Sequence, residues 1–508
     1  MAKSPANEPK RAGRGLVAIA GAKAWFILTS YAIQLGLPRL LDSAAEFGLY
    51  KAALSGVSIL NNVLIVATIQ SVSKQVSEQE DAAPALLRQA LRIQLVLGGV
   101  LAASLYVSAP LLAGFLLDAS LVPLLRIGCV VVLAYAVYGA LVGVLNGRRL
   151  FSRQATLDVS FSTLRAIGII GGAALGFGAF GALAGWGSAA IAVTLLAVVL
   201  TRSDLFGSGG SALPLRRWLS FMAPIWIYQA CLNGVLLLDL QVLKRTLAEM
   251  SIAAGIPSAE AALNASQYVG YYGAAQTFAF VPYQLILALT FVIFPMVSRA
   301  TAAGDREAAQ HTIKQAMRFS LLVLLSIAAP VAGAADGVML IAYPAEYVVG
   351  GSALAILIFG VVAFALFVIC ATVLSSAGRP TLAAIVAGVA VAVVVLSGRF
   401  LILASGGGAA SLPAVATGTS VGMGVAFVLA ASVVYAQFRA LFHPLTVLRA
   451  AIAAALAWVT AYAIPHQTRL MALVALVVGF LAFGLALALL REITRRDLDG
   501  IRNALRSR

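Results

Sequence analysis

Long apolar runs separated by short polar stretches recur from one end of the chain to the other. The first, LVAIAGAKAWFILTSYAIQLGLP, covers residues 16–38 and is broken by one charge, Lys23. Each run reaches roughly 20 residues, enough for an α-helix to cross a hydrocarbon core. Hydropathy places about fourteen spans, near 15–41, 46–75, 88–114, 121–147, 154–178, 180–202, 217–243, 267–299, 312–337, 350–376, 379–404, 412–437, 445–464 and 468–492. The polar stretches between them are too short to house a separate soluble domain. The pattern therefore predicts an all-α polytopic membrane protein.

Composition agrees. Of 508 residues, 61% are hydrophobic and 11% charged, against about 25% charged in ordinary soluble domains. The basic start, MAKSPANEPKRAGRG, is followed by no cleavage site, so it reads as a cytoplasmic tail before a retained first helix.

The net charge of +16 suggests nucleic acid until the charges are placed. Counting Lys and Arg on alternate sides of the spans puts 26 of the 35 at the tails and even-to-odd loops. Arg39, Lys244, Arg245 and Arg469 fall on the other side. This asymmetry puts both termini in the cytoplasm and requires an even number of spans. The basic excess is then topology, and no nucleic-acid partner is expected.

Five cations remain inside or at the edge of spans: Lys23, Lys51, Arg126, Arg165 and Arg399. The acids there are Asp158, Asp239 and Asp336. Ionisable groups in a membrane usually face a partner or a water-filled cavity. Snorkelling accounts for Lys51 and Arg126, near predicted helix ends. It accounts poorly for Lys23, eight residues in from Gly15 and about 12 Å along the rise. Helical spacing adds polar stripes: Lys23, Ser30 and Gln34 in span 1; Lys51, Ser55, Ser58 and Asn62 in span 2; Asp158, Ser162 and Arg165 in span 5; Gln229 and Asn233 in span 7; Tyr272, Gln276 and Tyr283 in span 8. Such stripes either glue helices together or line an aqueous passage. A basic passage attracts anions, phosphate foremost. The candidate cavity residues are Lys23, Gln34, Lys51, Asn62, Arg165, Gln229, Asn233, Tyr272, Gln276 and Arg399, with Asp158 and Asp239 as candidates for ion coupling.

A repeat underlies the spans. FGLYKAAL at Phe47 and VGYYGAAQ at Val269 align at an offset of 222: Gly48 with Gly270, Tyr50 with Tyr272, Ala52-Ala53 with Ala274-Ala275. Spans 2 and 8 cross in the same direction, so the repeat unit is six helices. The expected organisation is a cytoplasmic tail (1–14), an N-lobe of spans 1–6 (15–202), a cytoplasmic loop (203–216), a C-lobe of spans 7–12 (217–437), two appended spans (438–492) and a basic tail (493–508).

LPRLLDSAAEFGLY (37–50) resembles the segment joining spans 1 and 2 in bacterial polysaccharide flippases of the Wzx type. VGYYGAAQTFAFVPYQLILALTFVIFPMVSR (269–299) resembles span 8 of that family, and LSSAGRP (374–380) its turn between spans 10 and 11. The superfamily also contains MATE-type multidrug exporters and MurJ-type lipid II flippases. The resemblance implies two six-helix lobes around a cavity that opens alternately to each side of the bacterial inner membrane. It implies an undecaprenyl-pyrophosphate-linked oligosaccharide as cargo, with basic residues of the first two spans on the pyrophosphate; Lys23 and Lys51 stand in comparable places. A polysaccharide polymerase and glycosyltransferases are the implied protein partners. One departure is a long loop after span 7, about 244–266.

Other signals point to no chemistry. GFGAFG (176–181) matches GxGxxG but follows an apolar helix. GTSVG (418–422) sits in span 12 and reads as helix packing. Asn264-Ala265-Ser266 is an accidental sequon. Cys129, Cys231 and Cys370 form no CxxC, so neither a disulfide nor a metal is expected. The chain has no Walker A motif, so ATP is not expected to drive it directly; no cofactor and no enzyme activity are expected. Three rivals stay open: a lipid II flippase, a cation-coupled exporter and a membrane scaffold. A cation-coupled pump should carry an acid in span 1, where this chain has a lysine; Asp158 keeps that rival in play.

Overall fold

A computed structural model describes residues 8–492, with side chains described from residue 21 onward except at 288–292. The basic tails lie outside the described residues, apart from residues 8–14, which begin the first helix. Sixteen α-helices follow in order: α1 (Glu8–Leu40), α2 (Ala44–Glu78), α3 (Ala83–Phe115), α4 (Leu121–Gly147), α5 (Phe151–Gly172), α6 (Gly178–Leu205), α7 (Leu215–Ala253), α8 (Ser258–Ala279), α9 (Val281–Ala302), α10 (Arg306–Gly333), α11 (Ala335–Ala342), α12 (Gly351–Ser376), α13 (Pro380–Ala404), α14 (Ser411–Phe438), α15 (Pro444–Ala463) and α16 (Arg469–Leu489). No strand occurs among the described residues. Eleven helical stretches there are long and apolar enough to cross a membrane, one of which, Phe151–Leu205, contains both α5 and α6. The eighth expected span is two helices, α8 and α9, broken at Phe280 just before Pro282, which lacks the N–H to continue a helix.

The chain forms two compact units, the described residues up to Gly273 and those from Ala274 onward. In the first, α2 packs on α4 and α7, α1 on α5, and α5 on α6. In the second, α14 packs on α12 and α13, while α15 and α16 pack on each other and on α10.

Small residues set these contacts, as expected where lipid supplies no hydrophobic drive between helices. A Cβ added to Gly168 of α5 would stand 2.2 Å from the Gly185 carbonyl oxygen of α6, and Gly172 meets Gly181 in the same way. Gly418 of GTSVG lies against Gly398 of α13, so that motif is indeed packing. GFGAFG is the α5–α6 turn. Gly176 and Gly178 take φ of +82° and +56° there, a region that favours glycine. The Glu46 carboxylate caps the new helix by accepting from the Ala179 N–H at 3.2 Å, and it accepts from the Asp42 N–H as well.

The long loop expected at 244–266 is absent. α7 runs to Ala253 and α8 starts at Ser258. Hydropathy marks where a span leaves the apolar layer, whereas the helix continues with polar residues, supported by the Arg245–Glu249 pair one turn apart at 2.7 Å.

Glu492 anchors the last helix of the second unit. It is 4% exposed and accepts from Arg318 Nε at 2.9 Å, Thr446 Oγ1 at 2.8 Å and Arg449 Nη1 at 3.1 Å, tying the end of α16 to α10 and α15. Burial pushes this carboxyl up, but the hydrogen bonds from Arg318, Thr446 and Arg449 and the Arg318 charge outweigh it and hold it below its usual 4.5. A depressed carboxylate stabilises the fold above its unfolded pKa, and that contribution is lost as pH falls through the folded value. Glu492→Gln is therefore expected to lower the unfolding temperature at pH 7, with the gap to the unsubstituted protein closing on acidification below 4.5. Thermal unfolding of the detergent-solubilised protein across pH measures this; a gap that persists in acid counts against it.

Candidate functional site

The stripes of spans 1 and 5 meet on α1 and α5. Lys23 Nζ lies 3.6 Å from Asp158 Oδ2. Two turns along, Arg165 Nη2 donates to Ser30 Oγ at 2.6 Å, and between these two contacts Trp25 Nε1 donates to Thr163 Oγ1 at 2.8 Å. Phe26 and Phe161 stack at 6.1 Å with ring planes 9° apart. The Arg165 guanidinium sits 4.9 Å and 5.7 Å from these two rings. The two cations differ in freedom: Arg165 is held by a hydroxyl and two aromatic faces, whereas the Lys23 side chain is 61% exposed. Gln34, one turn beyond Ser30, keeps a buried side-chain oxygen with no hydrogen-bond partner.

The stripes of spans 2 and 7 meet on α2 and α7. Asn62 Nδ2 donates to Asn233 Oδ1 at 2.8 Å, and Asn233 Nδ2 donates to the Gln229 carbonyl at 2.8 Å. Gln241 donates to the Ala52 carbonyl and the Ser55 hydroxyl. Asp239 is buried and accepts from the Tyr272 hydroxyl of α8 at 2.7 Å. Lys51 is 7% exposed, its stem against Gly273 and its Nζ 5.3 Å from the Phe47 ring centroid. No carboxylate pairs with it among the described residues. The snorkelling expectation for Lys51 is thereby corrected: seven residues into α2, with its head packed on an aromatic ring, it does not reach for the interface. Arg126 is exposed and lies over Tyr106 at 4.8 Å. Gln276, buried on α8, and Arg399, exposed on α13, belong to the second unit.

Sequence reasoning missed one charged cluster. Lys244 Nζ donates to Asp118 Oδ2 at 2.7 Å and to Ser266 Oγ at 2.5 Å. Lys244 is fully buried and Asp118 and Ser266 nearly so. Ending span 7 at residue 243 put Lys244 among loop charges. The signal that could have found it was the helical register across Gln241, Lys244 and Ala248. Ser266, the last residue of the sequon, is spent on Lys244 inside α8.

No protein-family model matches the chain, and no curated protein matches it in sequence. Solved structures match closely in fold. A lipid II flippase, MurJ, in an inward closed conformation superposes with a TM-score of 0.68 at 13% identity, over 94% of this chain and 99% of that one. An inward-facing multidrug resistance transporter of the MATE family gives 0.63 at 15% identity, over 81% and 95%. A transporter from Pyrococcus furiosus, described by the reverse polarity of its binding pocket and a suggested different function, gives 0.57 at 15% identity, over 84% and 96%. All three are MOP-superfamily or MurJ transporters, and this chain has their fold.

Proposed function

We propose that the chain is a flippase that moves undecaprenyl-pyrophosphate-linked oligosaccharide units across the bacterial inner membrane for surface polysaccharide synthesis. Both termini are cytoplasmic in this reading, and the lobes at 15–202 and 217–437 alternate access to a basic passage. The observation that carries it is the cationic character of the first unit's polar helices: Lys23 and Arg165 on the α1–α5 seam and Lys51 buried on α2 without a carboxylate. A pyrophosphate cannot cross hydrocarbon unpaired, and these three cations outnumber the one acid beside them, Asp158 against Lys23, leaving a positive excess where a cation-binding exporter would need an acidic one. Hydroxyl and amide stripes supply hydrogen bonds for sugar hydroxyls without high affinity, so cargo can leave. Lipid II is the second reading, favoured by the fold match to MurJ over 94% of the chain; it carries the same pyrophosphate carrier.

Deleting the gene and identifying the accumulated undecaprenyl-linked lipids by mass spectrometry separates the two. A carrier-linked oligosaccharide with loss of surface polysaccharide supports the first reading, and accumulated lipid II supports the second. A cell in which neither accumulates refutes both and returns the cation-coupled exporter as the reading to test. In a complemented deletion strain, Lys23→Gln is expected to lower transport about tenfold or more at unchanged protein level, the scale set by losing one charge-assisted contact. Full transport by that variant would leave Lys23 structural.

A further inference from the structure

We propose that Asp158 is a built-in competitor for the anionic cargo: it holds Lys23 when no cargo is bound and is displaced when a phosphate takes the ammonium. The proposal rests on the flippase reading and adds to it the residue that sets cargo affinity.

Four observations carry it. The pair is loose: at 3.6 Å, Lys23 Nζ and Asp158 Oδ2 attract each other but are too far apart for a good hydrogen bond. Asp158 is the enclosed member, its side chain 17% exposed, and its Oδ2 has no hydrogen-bond partner. Lys23 is the free member, with 61% of its side chain exposed. The other cation of the seam, Arg165, does not take its place, because Ser30 and the Phe26–Phe161 stack already hold it.

The consequence is an exchange of partners. A flexible four-carbon stem lets the Lys23 ammonium swing outward to a phosphate oxygen. Asp158 is then left enclosed with no partner of its own, and a half-buried carboxylate without a counter-charge is costly. That cost is subtracted from the cargo's binding energy. It keeps affinity moderate, and it drives Lys23 back to Asp158 when the cargo leaves. A lysine alone would bind the pyrophosphate more tightly and release it more slowly.

The test is binding of farnesyl pyrophosphate, a short prenyl pyrophosphate, to the purified full-length protein in nanodiscs. The expected order is specific. Asp158→Asn, isosteric but uncharged, binds about tenfold tighter than the unsubstituted protein, within the usual range of coupling between two sites. Asp158→Glu, whose longer arm closes the pair, binds more weakly. Lys23→Gln binds weakly, and adding Asp158→Asn to it restores nothing, because the competition has no object. An Asp158→Asn protein that binds no tighter, while Lys23→Gln still weakens binding, overturns the competitor role and leaves the flippase reading standing. If Asp158→Asn does not fold, Asp158→Glu decides alone, since a merely structural carboxylate would not weaken binding by reaching further toward Lys23. Absence of binding by the unsubstituted protein overturns the pyrophosphate reading and this proposal together.

Discussion

Lys244→Met is expected to destabilise the first unit by about 3–5 kcal/mol, the cost of removing one partner from a buried ion pair. The unit is unusually exposed to this change. Lys244 is fully buried, and its ammonium satisfies both Asp118 at 2.7 Å and the Ser266 hydroxyl. Methionine fills the space of the stem but leaves Asp118 enclosed with only the Ser120 N–H and hydroxyl, both on its other oxygen. The double variant Lys244→Met/Asp118→Leu removes both charges and is expected to recover most of the loss, because an apolar pair of similar volume escapes the desolvation penalty. Thermal unfolding of the detergent-solubilised proteins measures both. A single variant as stable as the parent, or a double no better than the single, would show that the pair does not hold the α3–α4 loop to α7 and α8. Asp118 lies in that loop, outside the spans. Burial pushes its carboxyl up, but the Lys244 charge and the hydrogen bonds from Lys244 and Ser120 outweigh this and hold it below its usual 3.8. Its contribution is therefore present at neutral pH and lost only in acid, as pH falls through the lowered value.

That pair also marks where sequence reading stops. Hydropathy recovers the helices because a bilayer imposes one length and one polarity on every span. It does not see that α7 continues ten residues beyond the apolar run, so hydropathy groups Lys244 with the loop charges although its side chain is fully buried. The same limit applies to the candidate site. Period-3.6 spacing puts Lys23, Ser30 and Gln34 on one face of α1 and Asp158, Ser162 and Arg165 on one face of α5, and both faces follow from helix geometry alone. Which stripe meets which is a tertiary fact. Sequence spacing could not show that Asp158 is Lys23's partner, nor that Ser55 and Asn62 turn to α7 to bond Gln241 and Asn233. Lys51 fails for a related reason: its distance from a helix end suggested a head in the interface, but Gly273 and Phe47 close over it.

Gly48→Ala is expected to be as damaging as a large substitution elsewhere, although it adds one methyl group. A Cβ at Gly48 would stand 1.7 Å from the Ser266 carbonyl oxygen, and one at Gly270 would stand 2.1 Å from the Ala44 carbonyl oxygen. Both obstacles are backbone, so neither can rotate away; α2 and α8 must part. Overpacking of this kind typically costs about 1–3 kcal/mol and occasionally more. Parting these helices also strains the Asp239–Tyr272 bond and the seat of Lys51 against Gly273, both on neighbouring turns. Gly48 and Gly270 are also the residues that the sequence aligns at an offset of 222. The two glycines also face each other: a Cβ at Gly48 would stand 2.7 Å from the Gly270 nitrogen, and one at Gly270 3.2 Å from the Gly48 nitrogen. The two glycines therefore share one contact. Once Gly48→Ala has separated the helices, the second methyl enters space already opened, and Gly48→Ala/Gly270→Ala is expected to cost clearly less than the sum of the two singles. Unfolding temperatures of the two singles and the double decide it: strict additivity would mean that the helices yield separately at each glycine and that the two do not share one contact.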